Sequence, residues 1–491
     1  MRKNKRNFEC ACAIFLVGMF LIAGGPWARG EELISDYSSL DWTEAFTQLH
    51  SRLSQEYAFT DWKGIEWRTL GEIYGKKVDK AQTANDFEAY YLALRAYIHE
   101  IPDGHVRVTN LTQIDEKYIG GSFGFTAAEM NDGRLVVTWV DEASQAWKAG
   151  MRAGNELLTW NTMPVLSVLD AVSAIFDGNS ATLEDARNKK VQYLTRAPVG
   201  THIDMTYRSQ DSSQSTSIAL TAYDDGGFSF KKGYPAAVIS DKIRDMIRDI
   251  DTPDPVPEAM VELKILEGNI GYIKVWGELD ADLHGSGLYT STLSLFRQAV
   301  KSVMDAGCGG LILDLRNNVG GEDAMAAAML SSFYSEKVFY EYQNTYDPIT
   351  GMRSIRMADA ASNSLALWIE PAELVYMGRV IALINQKCVS SGEGIAMGIR
   401  NLPEGETLGF FETNGSFGLC GPEATMPGGI TIHWPSGQSL DESLKIQLDS
   451  RDGMGGVAPT IRIPMTQENA LRIARGEDVE LEEAIHWLNR H

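Results

Sequence analysis

Cysteine is scarce in this chain: five in 491 residues, two of them (Cys10 and Cys12) among the first 30. The other three, Cys308, Cys388 and Cys420, are too few for a disulfide framework and show no zinc-like spacing. One pair at most could form, and Cys388 with Cys420 is the pairing to look for. Positive charge is also short. Lys and Arg number 44 against 66 Asp and Glu, giving a formal charge of -22. Residues 1–30 carry five Lys/Arg and one Glu, so the rest of the chain stands at -26. A body this acidic is a poor partner for nucleic acid or an anionic membrane surface. The apolar run from about Cys10 to Gly25 is shorter than the roughly 20 residues a spanning helix needs.

That run has a basic opening (Arg2, Lys3, Lys5, Arg6) and is followed by the small-residue site Ala28-Arg29-Gly30. The pattern predicts a secretory signal peptide over 1–30, cleaved after Gly30. No cysteine stands where a lipobox would need one. The expected destination is periplasmic, cell-surface or secreted, with a membrane role only if the segment is retained.

Length and globular composition predict several domains. Residues 31–117 read as a helical segment, with Trp42, Phe46, Leu49 and Leu53, then Phe87, Tyr90, Leu94 and Tyr97, at three- and four-residue spacing. It ends at the turn Ile101-Pro102-Asp103-Gly104-His105. Residues 118–225 read as β-rich. They open on Gly120-Gly121-Ser122-Phe123-Gly124-Phe125, and a small-residue helix ends at Gly150 before a turn at Gly154. A Gly/Pro-rich bridge (Gly226-Gly227, then Asp251 to Pro257) leads into residues 226–491. There, strand-like runs at Ile270 to Trp276, Gly310 to Leu315 and Val380 to Ile384 alternate with helical stripes. A final helix is expected over Leu481 to Leu488. The alternation predicts a layered α/β core.

Two segments of that core carry chemistry. In Val380 to Glu393 a buried strand stops at Cys388-Val389-Ser390-Ser391-Gly392, and a helical pattern follows. A serine there is either a helix cap or a nucleophile, because the strand fixes its position and the helix N-terminus offers unpaired N–H groups to an oxyanion. In Gly309 to Gly321 a second buried strand ends in Asn-Asn-Val-Gly-Gly, whose glycines allow close backbone approach to a ligand. Beside a nucleophile, Gly320 or Gly321 and Ser391 would donate to the oxyanion.

The order of these parts resembles the tail-specific (C-terminal processing) serine peptidases and the related tricorn core protease. The motifs are Asp103-Gly104-His105, the glycine-loop β unit, the Gly309–Gly321 run, the strand–Ser390-x-x-Glu393 turn, Thr413-Asn414-Gly415-Ser416 and Gly456-Val457-Ala458-Pro459. The resemblance implies a ClpP/crotonase-like peptidase core, an N-terminal helical segment and an inserted PDZ-like domain, with no cofactor or metal. It makes Ser390 the nucleophile and Glu393 a packing residue. The processing branch keeps a lysine base where Ser416 stands here, so a Ser-Lys dyad at that position is excluded. Lys387, three residues before Ser390, is a poor substitute on a turn. The tricorn-type branch uses a D-x-H histidine, which makes His105 the general base, with His433 its one rival. An imidazole can take the serine proton at neutral pH and return it to the leaving amine. The acidic third member falls near Gly456-Val457, where Asp449 is favoured and Asp452 is the alternative. In the PDZ-like unit, Gly121, Ser122, Phe123 and Gly124 would capture a peptide carboxylate, while Asn155 replaces the usual Asp. The expected activity is that of an exported serine endopeptidase acting on proteins or peptides. The alternatives are a non-catalytic peptide binder of the same fold and a scaffold acting through the PDZ-like unit.

Overall fold

The computed structural model describes residues 34–210, 212–233, 257–281, 283, 290–358 and 364–490. The predicted signal segment 1–30 and the bridge residues 251–256 lie outside them.

The N-terminal unit is three amphipathic helices, Trp42–Glu56, Trp67–Ala84 and Phe87–His99. Asp41 and Asp86 cap the first and third by accepting the Glu44 and Ala89 N–H groups, each relieving one orphan donor of the first turn. Leu49, Leu53, Tyr90, Leu94 and Tyr97 form its core, as their spacing predicts. Part of that core comes from far downstream. Ala424, Met426, Ile430, Ile432 and Trp434 pack into it from a four-stranded sheet of Ile34–Asp36, Glu423–Met426, Ile430–His433 and Arg107–Val108. The His105 loop is thereby anchored at both ends, to the helices on one side and to this sheet on the other.

The middle unit is antiparallel. Its main sheet runs Ser215–Thr221, His202–Arg208, Glu156–Trp160, Leu135–Val140, Phe125–Glu129. Alternating residues such as Ile203, Met205 and Tyr207 turn inward onto Phe125, Val137 and Leu157. Helix Leu183–Leu194 packs on the edge strand Phe125–Glu129.

The C-terminal unit is a mixed α/β fold. Its sheet runs Val261–Leu266, Ile270–Val275, Gly310–Asp314, Arg379–Leu383, Gly405–Gly409, Ile461–Arg462, and is parallel from the second strand onward. Both faces are covered, which is why its strands read as continuous apolar runs. Leu311, Leu313, Val380 and Ala382 face helices Thr292–Asp305, Asp323–Leu330 and Ser391–Arg400. Ile312, Ile381 and Leu383 face the C-terminal helices Gln467–Ala474 and Val479–Arg490. The turns that carry Ser390 and Gly320 leave the carboxyl ends of neighbouring parallel strands.

Candidate active site

Ser390 is the half-buried N-cap of helix Ser391–Arg400, with φ 58° and ψ -132°. A non-glycine residue in this left-handed region costs roughly 1–3 kcal/mol and persists only where its surroundings over-determine it. Here they do. The Ser390 N–H donates to Ser416 O at 3.0 Å and to Glu393 Oε2 at 3.2 Å. Glu393 is fully buried and accepts three further bonds, from Thr413 Oγ1 (2.6 Å), Gly415 N (2.8 Å) and Ser416 N (3.0 Å). Burial pushes its carboxyl up to about 7 despite these donors. Glu393 is thus more than packing, since it fastens the Ser390 turn to the 413–416 loop. Gly456 belongs to the same knot, because a Cβ there would lie 2.6 Å from Thr413 Oγ1 and 2.9 Å from Glu393 Oε1.

Ser416 also reaches the histidine loop. Its Oγ accepts the Gly104 N–H at 2.8 Å while its carbonyl accepts the Ser390 N–H. Gly104 has no room for a side chain: a Cβ would lie 2.4 Å from Asn414 Oδ1. One residue therefore joins the His105 loop to the Ser390 turn, although the two are far apart in the chain.

The acidic group beside His105 is Asp103. Its Oδ1 lies 3.6 Å from His105 Nδ1 and accepts the His105 backbone N–H at 2.9 Å, and its Oδ2 accepts Tyr57 OH at 2.9 Å. At 3.6 Å the side-chain contact is electrostatic and falls short of a hydrogen bond. Burial works to raise the Asp103 carboxyl, but Lys63 and His105 override it and hold the group well below the usual carboxylate range.

Asp449, the residue expected to orient the imidazole, is engaged elsewhere. Its Oδ1 lies 2.6 Å from Lys63 Nζ, and its Oδ2 accepts the Phe417 N–H at 2.9 Å. Burial pushes its carboxyl up to about 6, with Lys63 opposing. Asp452, the alternative, is exposed beside Arg451. The carboxylate that lies beside His105 is therefore Asp103, and Asp449 stands one step further back through Lys63. The Lys63 side chain is enclosed, donating also to Pro102 O and Ser450 Oγ. Sequence reading passed over it because a lone lysine between two helices reads as solvated.

Gly320 lies against Ser390. With φ +80°, it would place a Cβ 2.7 Å from Ser390 Cβ. Its N–H, however, donates to Asn318 Oδ1 at 2.8 Å and is not open to an oxyanion. The Gly321 and Ser391 N–H groups have no partner among the described residues. The candidate donors narrow to those two. Glu278, also missed from sequence, is buried behind them, accepting Ser391 Oγ–H and Asn318 Nδ2–H at 2.8 Å each. Burial pushes its carboxyl up to about 7.

The expected carboxylate-binding loop is closed. Gly121 and Ser122 pair on both sides, with Arg196–Ala197 and with Tyr223–Asp224. The Phe123 N–H donates to Thr195 O and the Gly124 N–H to Ser122 Oγ. All four residues are buried, so their N–H groups serve the fold and not a ligand. His433 lies in the sheet opposite Arg107, near Glu423. Burial and Arg107 push it down to about 3, leaving it neutral and poorly basic at neutral pH. Lys387 belongs to the strand-end turn, where its N–H donates to Asn385 Oδ1. Cys388 and Cys420 are not paired: all three described cysteines are free thiols, Cys388 in the core and Cys420 exposed. Among the described residues no three His, Cys, Asp or Glu side chains are grouped to hold a metal ion.

Comparison with known proteins bears on this arrangement. Residues 269–463 match peptidase family S41. The chain is a serine peptidase. Residues 38–89, which contain Lys63, match the tricorn protease C1 domain. Two solved structures share the fold of the peptidase. Mature CPAF complexed with lactacystin is 14% identical with TM-score 0.62, covering 92% of this chain and 99% of that one. Mature CPAF is 15% identical with TM-score 0.57, covering 89% and 95%. No match was found among curated proteins. No helix among the described residues is long and apolar enough to cross a membrane.

Proposed function

We propose that the peptidase hydrolyses peptide bonds of proteins or peptides with Ser390 as nucleophile and His105 as general base. Ser390 Oγ attacks the scissile carbonyl carbon as its proton passes to His105 Nε2, forming the tetrahedral oxyanion. The Gly321 and Ser391 N–H groups donate to that oxyanion. His105 then gives the proton to the leaving amine, the C–N bond breaks, and water resolves the acyl-enzyme by the same steps in reverse roles. Asp103, at His105 Nδ1, orients the ring and balances its charge once the 3.6 Å contact closes on substrate. The observation that carries this reading is the double attachment of Ser416, by its carbonyl to Ser390 and by its hydroxyl to the loop of His105.

The test is replacement of Ser390 or His105 by Ala, each expected to abolish hydrolysis of a labelled casein while the fold persists. A fluorophosphonate probe should label Ser390 in the unmodified protein. Full activity in His105→Ala would refute the Ser-His assignment, and labelling at another residue would refute the nucleophile.

For the middle unit we favour gating of the site over capture of a chain end. Asn179 Nδ2 donates to the carbonyls of Ile98 and Ile101 at 2.7 and 2.8 Å, at the root of the His105 loop. Its helix-capping Thr182 packs near Gly415, and the Leu183 N–H donates to Gly453 O. The PDZ-like reading rests on the antiparallel sheet with a helix along its edge strand. Export remains part of the proposal on the pattern of residues 1–30, and sequencing of the secreted N-terminus is expected to begin after Gly30.

A further inference from the structure

Glu278 lies outside every motif that marked the site. It follows strand Ile270–Val275, and its backbone brackets Gly321: the Glu278 N–H donates to Gly320 O at 3.1 Å, and the Glu322 N–H donates to Glu278 O at 2.8 Å. A Cβ on Gly321 would sit 2.2 Å from Glu278 O, so residue 321 is pressed flat against this segment. The Glu278 side chain runs the other way. Its Oε2 accepts the Ser391 hydroxyl, and its Oε1 accepts Asn318 Nδ2–H. Asn318 closes the circuit by accepting the Gly320 N–H on Oδ1 and the Val389 N–H on its carbonyl. Glu278 and Ser391 are both completely buried.

We propose that Glu278 is a positioning residue that sets the two oxyanion donors relative to each other, Gly321 through its backbone and Ser391 through its carboxylate. The donors come from different strand ends, and this residue bonds to both segments. Hydrogen-bond donors to an oxyanion act only when held at the distance the transition state requires, and small displacements are felt in kcat before they are felt in binding. Truncation of the side chain leaves the Ser391 hydroxyl and Asn318 Nδ2 without acceptors in a dry site, and the helix start is free to shift. Glutamine has the same shape. Its Oε1 can stay on Asn318 while its Nε2 donates to a rotated Ser391 hydroxyl.

This inference rests on the assignment of Ser390 and its oxyanion donors. The test compares Glu278→Ala, Glu278→Gln and Ser391→Ala with Ser390→Ala, reading kcat and KM on labelled casein together with thermal unfolding. Glu278→Ala is expected to lose about 100-fold in kcat with KM within about threefold, since loss of one oxyanion donor costs about 10²–10³. Glu278→Gln should recover most of that loss. Ser391→Ala, which keeps the N–H but loses the hydroxyl, should lose about tenfold in kcat and supplies the answer if Glu278→Ala fails to fold. The inference fails if the Glu278 variants keep the unmodified kcat, or if Gln is as poor as Ala and the loss lies in KM. Activity in Ser390→Ala would instead overturn the nucleophile assignment itself.

Discussion

Replacing Lys63 by methionine should destabilise the peptidase strongly at pH 8 and much less at pH 5. Methionine keeps most of the stem, so packing changes little. What disappears is the cation shared by Asp449, 2.6 Å away, and by Asp103, whose carboxyl Lys63 helps hold low. Removing one partner of a buried ion pair costs about 3–5 kcal/mol, because the other charge is left uncompensated. In the unmodified protein burial already lifts Asp449 from 3.8 to about 6 against the pull of Lys63, so its charged form is disfavoured even with the cation in place. Without Lys63, Asp449 rises further above its unfolded value, while Asp103 loses one of the charges that hold it below and adds a loss common to both pH values. The native state then binds more protons than the unfolded one, so stability falls as pH rises through the raised Asp449 value and returns as pH drops. The expected loss is about 3–5 kcal/mol at pH 8 and under about 2 kcal/mol at pH 5. Urea denaturation of both proteins at the two pH values measures it. An equal loss at both, or a loss below about 1 kcal/mol at pH 8, would refute the shared-cation account.

Two further substitutions probe the links between units. Ser416→Ala removes the acceptor of the Gly104 N–H, so stability should fall by about 1 kcal/mol and kcat by about tenfold with KM unchanged. A normal kcat would break the proposed link between the His105 loop and Ser390. Asn179→Ala unties the Ile98 and Ile101 carbonyls from the middle unit. Hydrogen exchange should speed up at residues 101–106 and hydrolysis should slow. Unchanged exchange would argue against gating by the middle unit.

The parts of the site that could be read from sequence are those encoded locally. Ser390 stood out because an apolar strand gives way to a helical stripe within a few residues, and such a junction needs no distant partner. Gly320 lies against Ser390, but its N–H is not free. Asn318, two residues earlier, takes that bond, and backbone pattern alone does not show where a side-chain amide points. The glycine loop at Gly121–Gly124 misled for a related reason. Glycines mark close backbone approach, and here what approaches is the chain itself, at Arg196–Ala197 and Tyr223–Asp224. Asp449 was expected beside the imidazole, and Lys63 intervenes.

By itself, then, the sequence determined the α/β layering, the strand–serine–helix turn and the absence of a lysine at position 416, since periodicity and turn chemistry act over a few residues. Tertiary structure alone decided which acid faces His105, which N–H groups stay open, and that Lys63 and Glu278 lie buried at the site. Those outcomes turn on burial and on bonds between residues distant in the chain. Whether a charged side chain is solvated or enclosed depends on what packs over it.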